Sequence, residues 1–112
     1  MTTQDSFAVV TRLSYEPRLK NKVMRLMYIS MPVYKRQEGL IHIAMHHDLK
    51  EPKAMIYFVW ESEKHYLKSM NSDEFAFITD QWNEMIQSGQ ATFEMNAYSV
   101  IDAYSKHAEA IF

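Results

Sequence analysis

The stretch from Gly39 to Trp60, GLIHIAMHHDLKEPKAMIYFVW, alternates with a period of two. It predicts a β-hairpin, Leu40 to Asp48 and Lys53 to Trp60, joined by a short loop that holds Pro52. Ile41, Ile43 and Met45 alternate with His42, Ala44 and His46; Met55, Tyr57 and Val59 alternate with Ile56, Phe58 and Trp60. A half-solvated strand would carry charge at every second position, so this hairpin is expected to be covered on both faces. Helices can cover one face. In so short a chain, a second copy is the simplest cover for the other.

The rest of the chain supplies those helices and two more strands. Ser6 to Ser14 alternates as a strand, with Phe7, Val9, Thr11 and Leu13 on one face. Glu16-Pro17 opens a helix whose stripe is Leu19, Val23, Leu26, Met27, Ser30 and Tyr34. Pro32 should kink this helix or end its regular part, and Gly39 stops the segment. Ser62 is a candidate cap for a short helix, Glu63 to about Met70, with Tyr66, Leu67 and Met70 as its stripe. Ser72 or Asp73 caps a longer helix through Gln87, with Phe75, Ile78, Trp82, Met85 and Ile86 at helical spacing and Ser88-Gly89 as its stop. Thr92 to Ile101 reads as the last strand. The tail from Asp102 reads as weakly helical or irregular and ends in Ile111-Phe112, which could dock on a partner subunit. The order β-α-β-β-α-β is that of an α+β, ferredoxin-like sandwich: a four-stranded antiparallel sheet with its helices on one face. The open face is expected to be as apolar as the covered one, and two sheets packed face to face around a two-fold axis would bury it.

Composition narrows the function. The chain has 112 residues, enough for a single domain. A net charge of -2 gives no basic field for nucleic acid and no polybasic anchor for a membrane. No apolar run approaches the ~18 residues of a membrane span. The start, MTTQDSF, lacks a basic segment followed by an apolar one, so no signal peptide is expected. The chain has no cysteine, which removes disulfides, thiolate metal sites and a cysteine nucleophile, and fits a cytoplasmic location. Nine methionines point to a soft core. With only Gly39 and Gly89, a glycine-rich phosphate loop cannot form.

Three segments carry a family resemblance: QEGLI (Gln37 to Ile41), the strand ending in HHD (His46 to Asp48), and FVWESEKHYLKSMNSDEF (Phe58 to Phe75). Over residues 6–101 the chain resembles the antibiotic biosynthesis monooxygenase superfamily, the dimeric α/β-barrel group. The resemblance implies a homodimer with a small cavity between sheet and helices. In several members that cavity oxygenates electron-rich aromatics such as quinols and anthrones with molecular oxygen, without metal or flavin. Other members degrade haem or isomerise small sugar-like signals. Many members carry a histidine one turn into the short helix, where this chain has Ser69. Thr11, Ser69 and Thr79 stand where the haem-degrading branch carries Asn, Trp and His, so haem degradation by that route is not expected.

Trp60 is the leading candidate to stack on an aromatic substrate, its N–H orienting a polar edge. If Asp48 pairs with Ala54, His42 sits opposite Trp60 on one face and could take a phenolic proton as general base. Phe58, His65, Tyr66 and Trp82 are candidates to line or rim the same cavity; Asn96 and Tyr98 are further polar candidates on the last strand. A metal site is not expected. His46 and His47 should point to opposite faces, and His42 and His46 should lie ~13 Å apart at a strand rise of about 3.3 Å per residue. No Ser-His-Asp set can be built. The expected function is a cofactor-free monooxygenase acting as a homodimer on a small aromatic or quinol-like molecule. Alternatives are a non-catalytic dimer that binds a small apolar ligand, or a small-molecule isomerase.

Overall fold

A computed structural model of the chain describes residues 6–104 and 106. Strand β1 (Phe7–Tyr15) leads through a 3-10 turn (Pro17–Leu19) into helix α1 (Lys20–Lys35). Then come β2 (Leu40–His47), β3 (Lys53–Trp60), α2 (Glu63–Met70), α3 (Asp73–Gln87) and β4 (Ala91–Ser99). The sheet order is β2-β3-β1-β4 with every neighbouring pair antiparallel, the ferredoxin-like arrangement expected from the element order. Helices cover one face. Val9, Leu13, Phe58 and Trp60 meet Val23, Leu26 and Met27 of α1 and Phe75, Ile78 and Met85 of α3 in a single core.

Local chemistry explains the element ends. At the end of α3, Gly89 takes φ +80, which a side chain would resist. The Gly89 N–H then donates to Ile86 and the Gln90 N–H to Met85, satisfying two orphan carbonyls. In the β2–β3 loop, Asp48 Oδ1 accepts the N–H groups of Lys50 and Glu51 at 2.8 and 2.7 Å, which pulls the carboxyl below its ordinary pKa. Ser62 caps α2 by accepting the His65 N–H at 3.2 Å. Ser72 holds the cap position of α3, but its hydroxyl makes no capping bond. Helix α1 continues through Pro32 to Lys35 rather than ending there. The carbonyl that loses its donor is that of Tyr28, and Tyr28 and Pro32 both lie on the solvent side of the helix, so water can serve it.

The open face differs from expectation. Four rungs cross it. His42, Val59, Ala8 and Tyr98 form the first, and Ala44, Tyr57, Val10 and Asn96 the second; His46, Met55, Arg12 and Glu94 form the third, and Lys53, Ser14 and Thr92 the fourth. Only the first two are largely apolar. Arg12 donates to Asn96 Oδ1 at 3.2 Å across the β1–β4 pair. β4 is an edge strand, exposed on both sides beyond Ala91. Residues 102–104 have no regular structure. Most of the tail, Ile111-Phe112 included, lies outside the described residues. No helix among the described residues is long and apolar enough to cross a membrane.

Candidate active site

The site begins at a joint. Gly39 has φ +88, and the imidazole of His65 packs where a β-carbon would stand. The Glu61 N–H donates to the Gly39 carbonyl at 2.8 Å, and Ser62 Oγ meets His65 Nδ1 at 2.7 Å. These contacts fix the start of α2 against the end of the hairpin. The next residue along α2, Tyr66, is thereby laid over the end of β3.

There it closes an aromatic box. The Tyr66 ring lies 5.9 Å from Phe58 and 5.9 Å from Trp60, both edge-on, and 5.6 Å from Phe7. Phe58 and Trp60 are 5.8 Å apart. Edge-to-face pairs of this kind add modestly to burial. The polar atoms are less well served. Trp60 is 0% exposed, and its Nε1–H has no hydrogen-bond partner among the described residues. The Tyr66 hydroxyl donates to a thioether, Met95 Sδ, at 3.1 Å. Burial raises the Tyr66 pKa, which keeps the phenol protonated and a donor. A buried donor without a good acceptor costs about 1–3 kcal/mol, and the box holds two poorly served donors.

The sequence candidates divide among three places. Phe58, Trp60 and Tyr66 meet in the box. His42 does not join them. The hairpin pairs His47, not Asp48, with Ala54, which shifts the register by one residue. That register sets His42 opposite Val59, on the open face, and an irregularity between Leu40 and His42 then sets Leu40 opposite Trp60. A one-residue slip moves a side chain to the other side of a sheet. His42 lies 5.8 Å from Tyr57, and burial together with His46 lowers its pKa, favouring neutral imidazole. His65 is engaged at the Gly39 joint, 3.7 Å from Glu61 and 4.0 Å from Glu38. Trp82 lies toward the other end of the helical layer, 5.6 Å from Phe93, beside a cavity of about 10 Å³ shared with Thr11, Met27 and Ile56. The space between sheet and helices is therefore nearly full.

Phe7 and Met95 were missed by sequence reasoning, as was a third feature. At the hairpin end, Tyr15 hydrogen-bonds His47 Nε2, while His47 Nδ1 donates to the Asp48 carbonyl at 2.7 Å. That second bond makes Nε2 the acceptor for the Tyr15 hydroxyl. No local pattern announces such pairs; each depends on register between distant strands. A concavity of about 670 Å³ lies on the polar half of the open face beside Arg12, Ser14, His46, Lys53 and Glu94.

No protein-family model and no curated protein sequence matches the chain. Solved structures do. SnoaB, a cofactor-independent oxygenase from Streptomyces nogalater, matches with a TM-score of 0.72 at 11% identity, over 88% of this chain and 96% of that one. Rv0793 from Mycobacterium tuberculosis matches with a TM-score of 0.78 at 13% identity, over 90% and 100%. A conserved protein from Methanosarcina mazei matches at 0.72 and 20% identity, over 86% and 93%. The chain thus has the ferredoxin-like fold expected from its resemblance to the monooxygenase superfamily. At these identities the likeness is one of fold, and the chemistry has to be argued from the site.

Proposed function

We propose that the protein is a cofactor-independent oxygenase acting, as a homodimer, on a small electron-rich aromatic of the quinol or anthrone kind, bound in the box of Phe7, Phe58, Trp60 and Tyr66. The observation that carries this reading is the buried Trp60 Nε1–H without an acceptor, beside a Tyr66 hydroxyl that has only sulfur to donate to. The oxygenase SnoaB shares the fold, which supports it.

The box holds donors and no carboxylate or imidazole. The substrate loses its proton to bulk water before it is enclosed, and the box favours the resulting anion: two hydrogen bonds to a phenolate or enolate oxygen lower its pKa, and the aromatic walls then exclude water. The anion is electron-rich enough to reduce dioxygen directly. With an anthrone, the ring methylene becomes a carbonyl, one oxygen atom enters the product, and the other leaves with the two methylene hydrogens as water. His42 stands outside this scheme, on the apolar half of the open face. That half, with Val10, Ala44, Tyr57, Val59 and Tyr98, supports the packing of a second copy.

Oxygen uptake with anthrone and hydroquinone tests the reading. Turnover above the no-enzyme rate is expected. Trp60→Phe and Tyr66→Phe should each cost about 100- to 1,000-fold in kcat, the range for loss of one oxyanion donor. His42→Ala should change it little. No uptake above the blank removes the reading. Substrate conversion under argon would mean an isomerase.

A further inference from the structure

The hydroxyl of Tyr66 is 9% exposed as a residue, yet its acceptor belongs to a residue that is 54% exposed, Met95 on the edge strand β4. A thioether is a weak acceptor on a flexible stem, so both the bond and the conformation are easily given up. Register adds the position. Met95 faces the helices on the rung of Thr11 and Ile56, between the small cavity at Trp82 and the box. On the next two rungs toward Trp60, β4 offers only Ala97 and Ser99, opposite Val9 and Phe7. The β4 flank of the box thus carries one long, unbranched side chain and otherwise small ones.

We propose that Met95 is the gate of the site, and that its sulfur holds the place of the ligand's oxygen on Tyr66. When the gate swings out toward solvent, a planar aromatic enters along the edge of β4, and its oxygen accepts the Tyr66 hydroxyl in place of sulfur. Oxygen is the better acceptor, so the exchange favours ligands that carry one at the ring edge: phenols, phenolates and aryl ketones. A plain hydrocarbon of the same shape would displace the sulfur and return nothing to the hydroxyl, so the site discriminates against it. This rests on the box being the binding site, as proposed above.

Equilibrium dialysis of 1-naphthol and naphthalene under argon tests the gate without turnover. The wild type should prefer 1-naphthol by about threefold to tenfold, the value of one net hydrogen bond. Met95→Ala and Met95→Leu each remove the competing sulfur, and should tighten 1-naphthol by a similar factor while keeping the preference. Tyr66→Phe should abolish the preference. Thermal melts establish that each variant folds, and Met95→Leu keeps the volume should Met95→Ala fail to do so. If both folded Met95 variants bind like the wild type, if the preference survives Tyr66→Phe, or if 1-naphthol binds none of these proteins, the gate is overturned. The two proposals fail separately: oxygen uptake with unchanged Met95 variants removes the gate alone, and the expected binding without uptake removes the oxygenase alone.

Discussion

Gly39→Ala puts the joint that carries Tyr66 under direct strain. At φ +88 a β-carbon costs about 1–2 kcal/mol in any context. Here it would also stand 2.5 Å from His65 Cδ2 and 2.6 Å from His65 Cβ, and closer still to Cγ. Cβ is anchored to the backbone of α2, so a ring rotation cannot relieve the overlap. The start of the helix must move. That movement strains the Glu61 N–H bond to the Gly39 carbonyl and the Ser62 cap, together about 1–2 kcal/mol. The expected loss is about 2–4 kcal/mol, a large share of the 5–15 kcal/mol that holds a typical domain. Urea unfolding at one fixed protein concentration measures it. With a slope of about 1–3 kcal/mol per molar, the midpoint should fall by roughly 1–3 M at unchanged slope. His65→Gly provides the second arm, since it removes every overlapping side-chain atom, Cβ included, and leaves the φ cost. In that background Gly39→Ala should cost about 1–2 kcal/mol. A loss under about 1 kcal/mol in the wild type, or equal losses in both backgrounds, would refute the idea that this contact fixes α2.

Two further outcomes are expected. The lowered pKa of His42, caused by burial and by His46, means that the folded chain prefers the neutral ring. Stability from this source is complete above the ordinary imidazole value of 6.5 and is lost as pH falls through the lowered one. Thermal melts should therefore show the chain less stable at pH 5 than at pH 7.5, and His42→Gln should reduce the difference. Trp60→Phe should lower stability by no more than about 1.5 kcal/mol. The lost ring area is partly offset because the orphaned N–H, itself worth about 1–3 kcal/mol, is gone too. Trp60→Ala should cost about 3–5 kcal/mol, and melts of the two variants side by side separate packing from polarity.

The fold was readable because its signals are local. Alternation from Phe7 to Leu13 and from Lys53 to Trp60, the stripe Phe75-Ile78-Trp82-Met85, and the Ser88-Gly89 stop each lie within one element. Errors entered where partners are distant. The reading of His42 depended on which residue pairs with Ala54, and a one-residue shift sent it to the other face. The contact between Tyr66 and Met95 spans 29 positions and two elements that never pair with each other, so nothing in either segment announces it. Pro32 does not end α1, because a missing N–H matters little where the freed carbonyl looks onto water.

The two faces of the sheet explain one another. A fully apolar open face would call for cover along its whole length, but charge gathers on the third and fourth rungs around Arg12, Glu94 and Lys53, leaving the apolar half at the Trp60 end. A second copy seated there would press on Tyr57 and Tyr98, over Ala8 and Val59, which one chain already buries. Those strand positions alternate with Phe7, Phe58, Trp60 and Ser99, which face the box. Association would then hold the floor of the box rigid from behind, while the flank at Met95, on the helix side of β4, stays clear of the contact. Rigidity where two donors must converge on one oxygen, and freedom where the ligand must enter, are the opposed needs of such a site, and alternation along the strands lets one sheet meet both.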